Sequence, residues 1–250
     1  MNTIYRPFFA AGAMAAAVAA ASPAHATLQL AFDINGIPFA CVDNAACDTN
    51  PLVGILDIAN SAFAGVDVNG SIQVSTGTPA NPGLDILSTS SLSITNTNGV
   101  AVTGSAAISD TDFSSPVSFW QTSGSGTFVK ATGATTTFNW YVDATNTQGA
   151  NTSTDTPGVL VATFTHPAAS PADSFSTDAI GPVSLTSPFS LTEQFTLSLP
   201  PGAELLSRGQ TIILSVPEPS TWAMALLGFG FLGFAAYRRR GTRAPAAFQG

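Results

Sequence analysis

The sequence predicts an all-β protein: a single antiparallel β-sandwich or jelly-roll-like domain with an apolar segment at each end. Three observations predict it. Apolar residues recur at every second position in run after run, turn-forming clusters punctuate those runs, and no stretch of the middle keeps a helical period. Composition agrees. Only 9% of the 250 residues are charged while 45% are hydrophobic, so a core can form and Ser, Thr, Asn and Gly take the place that charges hold in an average soluble protein.

Taken in order, residues 1–26 read as a secretory signal peptide. Arg6 supplies the positive start, Phe8 to Ala21 is almost unbroken apolar chain, and Ala24-His25-Ala26 offers small residues to a signal peptidase, with cleavage expected before Thr27. Pro23 argues against one continuous helix through this region. Export through the Sec machinery is therefore expected.

Residues 27–215 form the expected extracytoplasmic domain. Leu28, Leu30, Phe32 and Ile34 alternate, as do Phe138, Trp140 and Val142, then Phe195, Leu197 and Leu199, then Ile212, Leu214 and Val216. A period of two buries one face of a strand and leaves the other to solvent. Turns are marked by Asn69-Gly70, Asn81-Pro82-Gly83, Asn96 to Gly99, Gly124-Ser125-Gly126, Pro157-Gly158 and Pro200-Pro201-Gly202. Leu52 to Phe63 reads as either a short helix or a strand. Ala144–Thr156 and Pro167–Asp173 are the expected exposed loops, and no linker or fixed-period repeat divides the span. The stretch 27–216 holds 14 of the 15 acidic residues against two bases, Lys130 and Arg208, for a formal charge of −12. Phosphate backbones are bound by clustered Lys and Arg, so nucleic acid is excluded as a partner.

The chemistry of the middle is sparse. Cys41 and Cys47 are the two cysteines of the chain, and in an oxidising compartment a close pair is most simply a local disulfide. Asp43, Asn44, Asp48 and Asn50 crowd the same loop, and Asp67-Val68-Asn69-Gly70 matches part of a calcium loop. A solvated turn is the first reading there. Asp43, Asp48 and Asp67 are calcium candidates only as an alternative, and no other metal or cofactor is expected. No Gly-x-Ser-x-Gly elbow or phosphate loop is present. His166, beside Pro167, is the one histidine after residue 26 and reads as a strand-end residue. The expectation is that the protein is not an enzyme, with a secreted hydrolase as the remaining catalytic alternative. Trp140 falls on the buried phase of its strand, whereas Tyr141 falls on the other face and is a candidate platform for a sugar ring.

The C-terminal segment is the most specific. Val216-Pro217-Glu218-Pro219-Ser220-Thr221 precedes the apolar run Trp222 to Tyr237, followed by Arg238-Arg239-Arg240. Sixteen residues make about 24 Å of helix at 1.5 Å per residue, slightly short of a bilayer core of about 30 Å. Trp222 and Tyr237 flank the run as interfacial aromatics, and the arginines give the positive-inside signature. A transmembrane helix over 222–237, with 241–250 as a short cytoplasmic tail, is expected. Pro217-Glu218-Pro219 is then an extended, solvated segment outside the bilayer, because proline fixes φ and donates no hydrogen bond.

This Pro-Glu-Pro, apolar helix and Arg cluster over Val216–Arg240 resembles the PEP-CTERM sorting signal of Gram-negative bacteria. The chain runs on to Gly250, where that family usually stops soon after the arginines. The resemblance implies recognition by an exosortase, a membrane-embedded transpeptidase, and cleavage near Pro217, Glu218 and Pro219. It implies a precursor anchored transiently in the inner membrane and a product at the cell surface or in the extracellular matrix. The expected role is structural or adhesive, in company with exopolysaccharide and biofilm formation. The alternative is a carbohydrate- or calcium-binding, lectin-like module.

Overall fold

The computed structural model describes residues 27–75, 84–114, 117–186, 188–215 and 226–232. Twelve strands account for the middle of the chain: β1 (Gln29–Ile34), β2 (Ile37–Val42), β3 (Ile55–Phe63), β4 (Val66–Ser75), β5 (Leu84–Asn96), β6 (Val102–Phe113), β7 (Val117–Val129), β8 (Thr135–Asp143), β9 (Val159–Pro167), β10 (Ala172–Leu185), β11 (Phe189–Leu199) and β12 (Glu204–Ser215). They form two six-stranded sheets. One has the order β2-β1-β6-β11-β8-β9 and the other β10-β7-β12-β5-β4-β3. Every pairing is antiparallel. The chain changes sheet repeatedly after β5, so the centre of each sheet pairs strands far apart in sequence, such as β6 with β11 and β5 with β12.

Alternation places the core where the sequence predicts it. Phe138, Trp140 and Val142 of β8 turn inward with Leu191, Phe195 and Leu197 of β11, while Ile212 and Leu214 of β12 face them from the second sheet. Phe138 meets Trp140 edge-on and lies 5.8 Å from Phe175 of β10. Phe113 stacks on Phe189, and Phe32, Phe39 and Phe63 form a second aromatic group between β1, β2 and β3. Burying each such ring contributes about 1.5–3 kcal/mol, and a sheet pair of this size has many. Leu52–Phe63, open to either reading from sequence, is a strand from Ile55 onward. It pairs with β4, and alternating Leu56 and Ile58 go into the core. The expected loop Pro167–Asp173 contracts to four residues, because β9 runs through Pro167 and β10 starts at Ala172.

The two ends of the sandwich differ. At one end the connections are tight: Asn35-Gly36, Ala64-Gly65, residues 97–101, 130–134, 168–171 and 200–203. Buried Asn96 fastens that end by donating from Nδ2 to the carbonyls of Val100, Leu199 and Pro200. The opposite end carries the long connections 43–54 and 144–158. Strand directions alternate throughout, so β1 enters and β12 leaves at this long-loop end. The remaining described segment, 226–232, is a seven-residue helix with exposed Leu226, Leu227, Phe229, Phe231 and Leu232. Among the described residues no helix is long and apolar enough to cross a membrane. The rest of the expected span 222–237, including Trp222 and Tyr237, lies outside them, as do Ala24, Ala26 and the signal segment 1–26.

Candidate functional site

The connection from β2 to β3 is built on its disulfide and its aspartates. Cys41 and Cys47 are bonded, with their Cα atoms 5.8 Å apart. Asp48 Oδ1 accepts the backbone N–H of Asn50 and of Asp57, and its Oδ2 accepts that of Asn44, each at 2.9 Å. Burial favours the neutral acid, but these three N–H donors outweigh it and hold the Asp48 carboxyl below its ordinary value. Asp43 Oδ2 accepts the Gly54 N–H at 2.7 Å, and its Oδ1 accepts from Asn44 Nδ2. Both carboxylates are thus spent on shaping the turn. Asp67 sits elsewhere, on β4 opposite Ala62 and Thr95. The three calcium candidates are therefore not brought together, and among the described residues no group of three or more His, Cys, Asp or Glu is placed to hold a metal ion.

The connection from β8 to β9, expected as an exposed loop, is instead pinned over the outer face of its own sheet. Asp143 starts it by accepting from the Thr145 and Thr147 N–H groups and from the Thr145 hydroxyl. Burial is again outweighed by these donors, and the Asp143 carboxyl is lowered. Asn146 and Asp112 exchange two bonds, at 2.8 and 2.7 Å. The Gly149 N–H donates to Ser109 Oγ, Ser190 Oγ donates to the Thr147 carbonyl, and Ser105 Oγ donates to Ser153 Oγ at 2.7 Å. This lattice buries Ser109, Ser190 and Thr192 on what would otherwise be a solvated face.

The pinned loop reaches the start of β1, where Gln29 Nε2 donates to the Gly149 carbonyl, and leaves the rest of β1 and β2 uncovered. Between its segment Asn151–Thr154 and the outer face of those two strands runs a groove of about 700 Å3. Ala31, Ala40 and Pro38 line it from the strand side, with Asp33 and Ser105 beside them. Its floor includes residues of β2, the edge strand of the sheet.

Other sequence candidates fall outside this groove. Tyr141 is half-buried on the outer face of β8, opposite Thr192 of β11 and Leu160 of β9. Trp140 is 1% exposed and belongs to the core. His166 is the penultimate residue of β9, stacked on Phe175 at 4.6 Å with its Nε2 3.3 Å from Asp173 Oδ2. Its ring is a component of the aromatic packing.

Sequence reasoning missed a polar cluster in the sandwich interior. Glu193 of β11 and Arg208 of β12 are both fully buried. Thr89 Oγ1 donates to Glu193 Oε2 at 2.9 Å, and Arg208 Nη2 donates to Gln210 Oε1. The Arg208 guanidinium lies 3.7 Å from the Phe195 ring centroid and 4.7 Å from that of Phe138. Gln210 Nε2 donates across to the backbone carbonyl of Asn139. Burial pushes the Glu193 carboxyl well up and brings the Arg208 guanidinium down to about 9, with each charge opposing the other's shift. Another buried acid, Asp110 of β6, is pushed up to about 7 by burial. The Thr111 N–H opposes that shift, while Asp112 and Asp43 reinforce it.

Ser215 closes the last strand, and the Pro-Glu-Pro segment follows at once in sequence. Residues 215–240 carry a PEP-CTERM protein-sorting motif. The motif implies an exported protein with a C-terminal membrane-anchoring sorting signal that is processed by an exosortase transpeptidase. Pro217, Glu218, Pro219 and Arg238, Arg239 and Arg240 lie within the matched residues and outside the described ones. No curated protein matches the chain.

Beyond the PEP-CTERM segment, likeness to solved structures is remote. TmCBM61 in complex with β-1,4-galactotriose is similar over 60% of this chain and 88% of its own, at 6% identity and a TM-score of 0.28. The C-terminal CBM6 of the laminarinase LamC from Zobellia galactanivorans is similar over 63% and 98%, at 9% identity and 0.23. The infectious bursal disease virus Gx strain structure is similar over 87% and 55%, at 12% identity and 0.28. Likeness at this level carries no argument about what the sandwich does.

Proposed function

We propose that this protein is exported, held briefly at the inner membrane, and cut at its Pro-Glu-Pro segment to leave a structural or adhesive β-sandwich at the cell surface or in the extracellular matrix. One observation carries the reading: the sorting motif begins at Ser215, where the last strand ends. The sandwich is complete before the motif starts, so cleavage at Pro217-Glu218-Pro219 removes the membrane segment without removing a strand. The body suits an external life. It has one internal disulfide and a cation-poor, Ser- and Thr-rich surface. We read it as non-catalytic and associated with exopolysaccharide, since its only described histidine is packed among phenylalanine rings.

Intact-mass measurement on protein recovered from membranes and from medium tests this reading. The released form is expected to start at Thr27 and to end between Val216 and Ser220, and Glu218→Ala is expected to accumulate uncut in the membrane fraction. A released product that retains Met1 and Gly250 would refute it.

A further inference from the structure

We propose that the groove between the Asn151–Thr154 wall and the outer face of β1 and β2 binds an uncharged polysaccharide chain. The inference rests on the reading of the body as an external, matrix-associated domain and names the ligand that the domain would hold.

The groove has the size of a ligand site. About 700 Å3 falls within the range of roughly 300–1,000 Å3 typical of small-molecule sites. Its surfaces are chemically divided. The strand side presents the exposed Ala40 methyl group and the Pro38 ring, with Ala31 buried beneath them, and the loop side presents exposed Thr152 and Thr154. A pyranose is divided in the same way, with C–H groups on its faces and hydroxyls round its rim. Asp33 stands beside the apolar surface with Oδ1 accepting the Gly36 N–H at 2.7 Å. Its carboxylate is the acceptor type that pairs strongly with a sugar hydroxyl.

Charge selects among polysaccharides. Asp33 is the single charged residue lining the groove, and the 27–216 body carries a formal −12. A uronate or sulfated chain would meet repulsion with no Lys or Arg to offset it, whereas a neutral chain meets none. Preorganisation favours binding as well. The wall is fixed by the Ser105–Ser153 bond, by Gln29 Nε2 donating to the Gly149 carbonyl, and by Asn151 donating to Asp155 Oδ2. Little ordering entropy remains to be lost when a ligand arrives. Because β2 is the edge strand, a long chain lying in the groove can extend past the sandwich edge.

Affinity electrophoresis of the protein recovered from the medium tests this, in gels containing dextran, laminarin, galactomannan, xylan or, as the charged control, polygalacturonate. Retardation is expected in at least one neutral gel and not in polygalacturonate. Ala40→Trp, which fills the groove from an exposed position, and Asp33→Ala are each expected to weaken retardation at least tenfold, with thermal midpoints near wild type. Tyr141→Ala, outside the groove, is expected to leave retardation unchanged. Migration unaltered in all four neutral gels, or retardation indifferent to both groove variants, would overturn the proposal. Correct C-terminal processing by mass alongside either result would leave the sorting reading standing.

Discussion

Replacing Asp110 by Asn should stabilise the sandwich in mild alkali and do almost nothing in acid. Asp110 is 2% exposed, on the inward phase of β6, and burial raises its carboxyl from 3.8 to about 7. A folded-state value above the unfolded one means that folding favours the protonated acid. The contribution is therefore complete below about pH 3.8 and is lost progressively as pH rises through 7. Each unit is worth about 1.36 kcal/mol, so a difference of about three units places the full ionisation cost near 4 kcal/mol. Asparagine keeps the acceptor for the Thr111 N–H and carries no charge to repel Asp112 or Asp43. Urea melts of both proteins at pH 4, 6 and 8 provide the assay, reading the midpoint at constant slope. Asp110→Asn should match wild type at pH 4 and exceed it by up to about 4 kcal/mol at pH 8. A variant that is less stable at pH 8, or a difference that does not vary with pH, would refute the reasoning.

The buried pair and the disulfide give two further expectations. Glu193→Ala removes the acceptor of the Thr89 hydroxyl and the carboxyl that offsets the buried Arg208 guanidinium, and should cost about 3–5 kcal/mol, while Glu193→Leu with Arg208→Met should recover most of that loss. Urea midpoints of the single and double variants check this, and a double variant no better than the single would contradict it. Cys41→Ser with Cys47→Ser opens a seven-residue loop and should lower stability by about 2 kcal/mol on the chain-entropy estimate. Hydrogen exchange should show faster opening at Asn44, Asn50 and Asp57, whose N–H groups Asp48 holds; unchanged protection would show that the aspartates alone fix the turn.

Alternation made the strands legible, and what it hid follows from local breaks in that same period. The phase of β8 is regular, so Trp140 inward and Tyr141 outward could be read directly from the sequence. In β12 the register shifts between Leu205 and Arg208, where Ser207 adopts φ 50°. One extra residue in a strand reverses which face the following side chains occupy. Arg208 is thereby turned inward beside Gln210, and a reader counting from Leu205 assigns it to solvent. The same device operates in β6, where the shift opposite Phe189 accompanies Asp112 at φ 63°. Glu193 needed no such shift. It stands at the buried phase between Leu191 and Phe195, and that polar residue at an apolar position was the readable signal. The groove was hidden for another reason: it depends on where the 144–158 loop is fastened, which is set by bonds between residues about 40 positions apart.

Placement of the chain ends connects the fold to its sorting. The first strand starts, and the last strand finishes, at the long-loop end, which also bears Asp43, Asp48, Asp112 and Asp143. Only residues 216–221 separate Ser215 from the apolar run, a reach of about 20 Å when extended. In a precursor anchored through its sorting signal, the long-loop end would be the end nearer the anchor in sequence. The segment left spanning that gap is Val216 to Thr221, with Pro217-Glu218-Pro219 at its centre. Proline donates no backbone hydrogen bond to a sheet, and the matched motif begins in sequence where the last described strand ends. The groove is floored by β1 and the edge strand β2 of one sheet, whereas the motif follows β12 of the other, so the tether leaves from the sheet that does not form the groove.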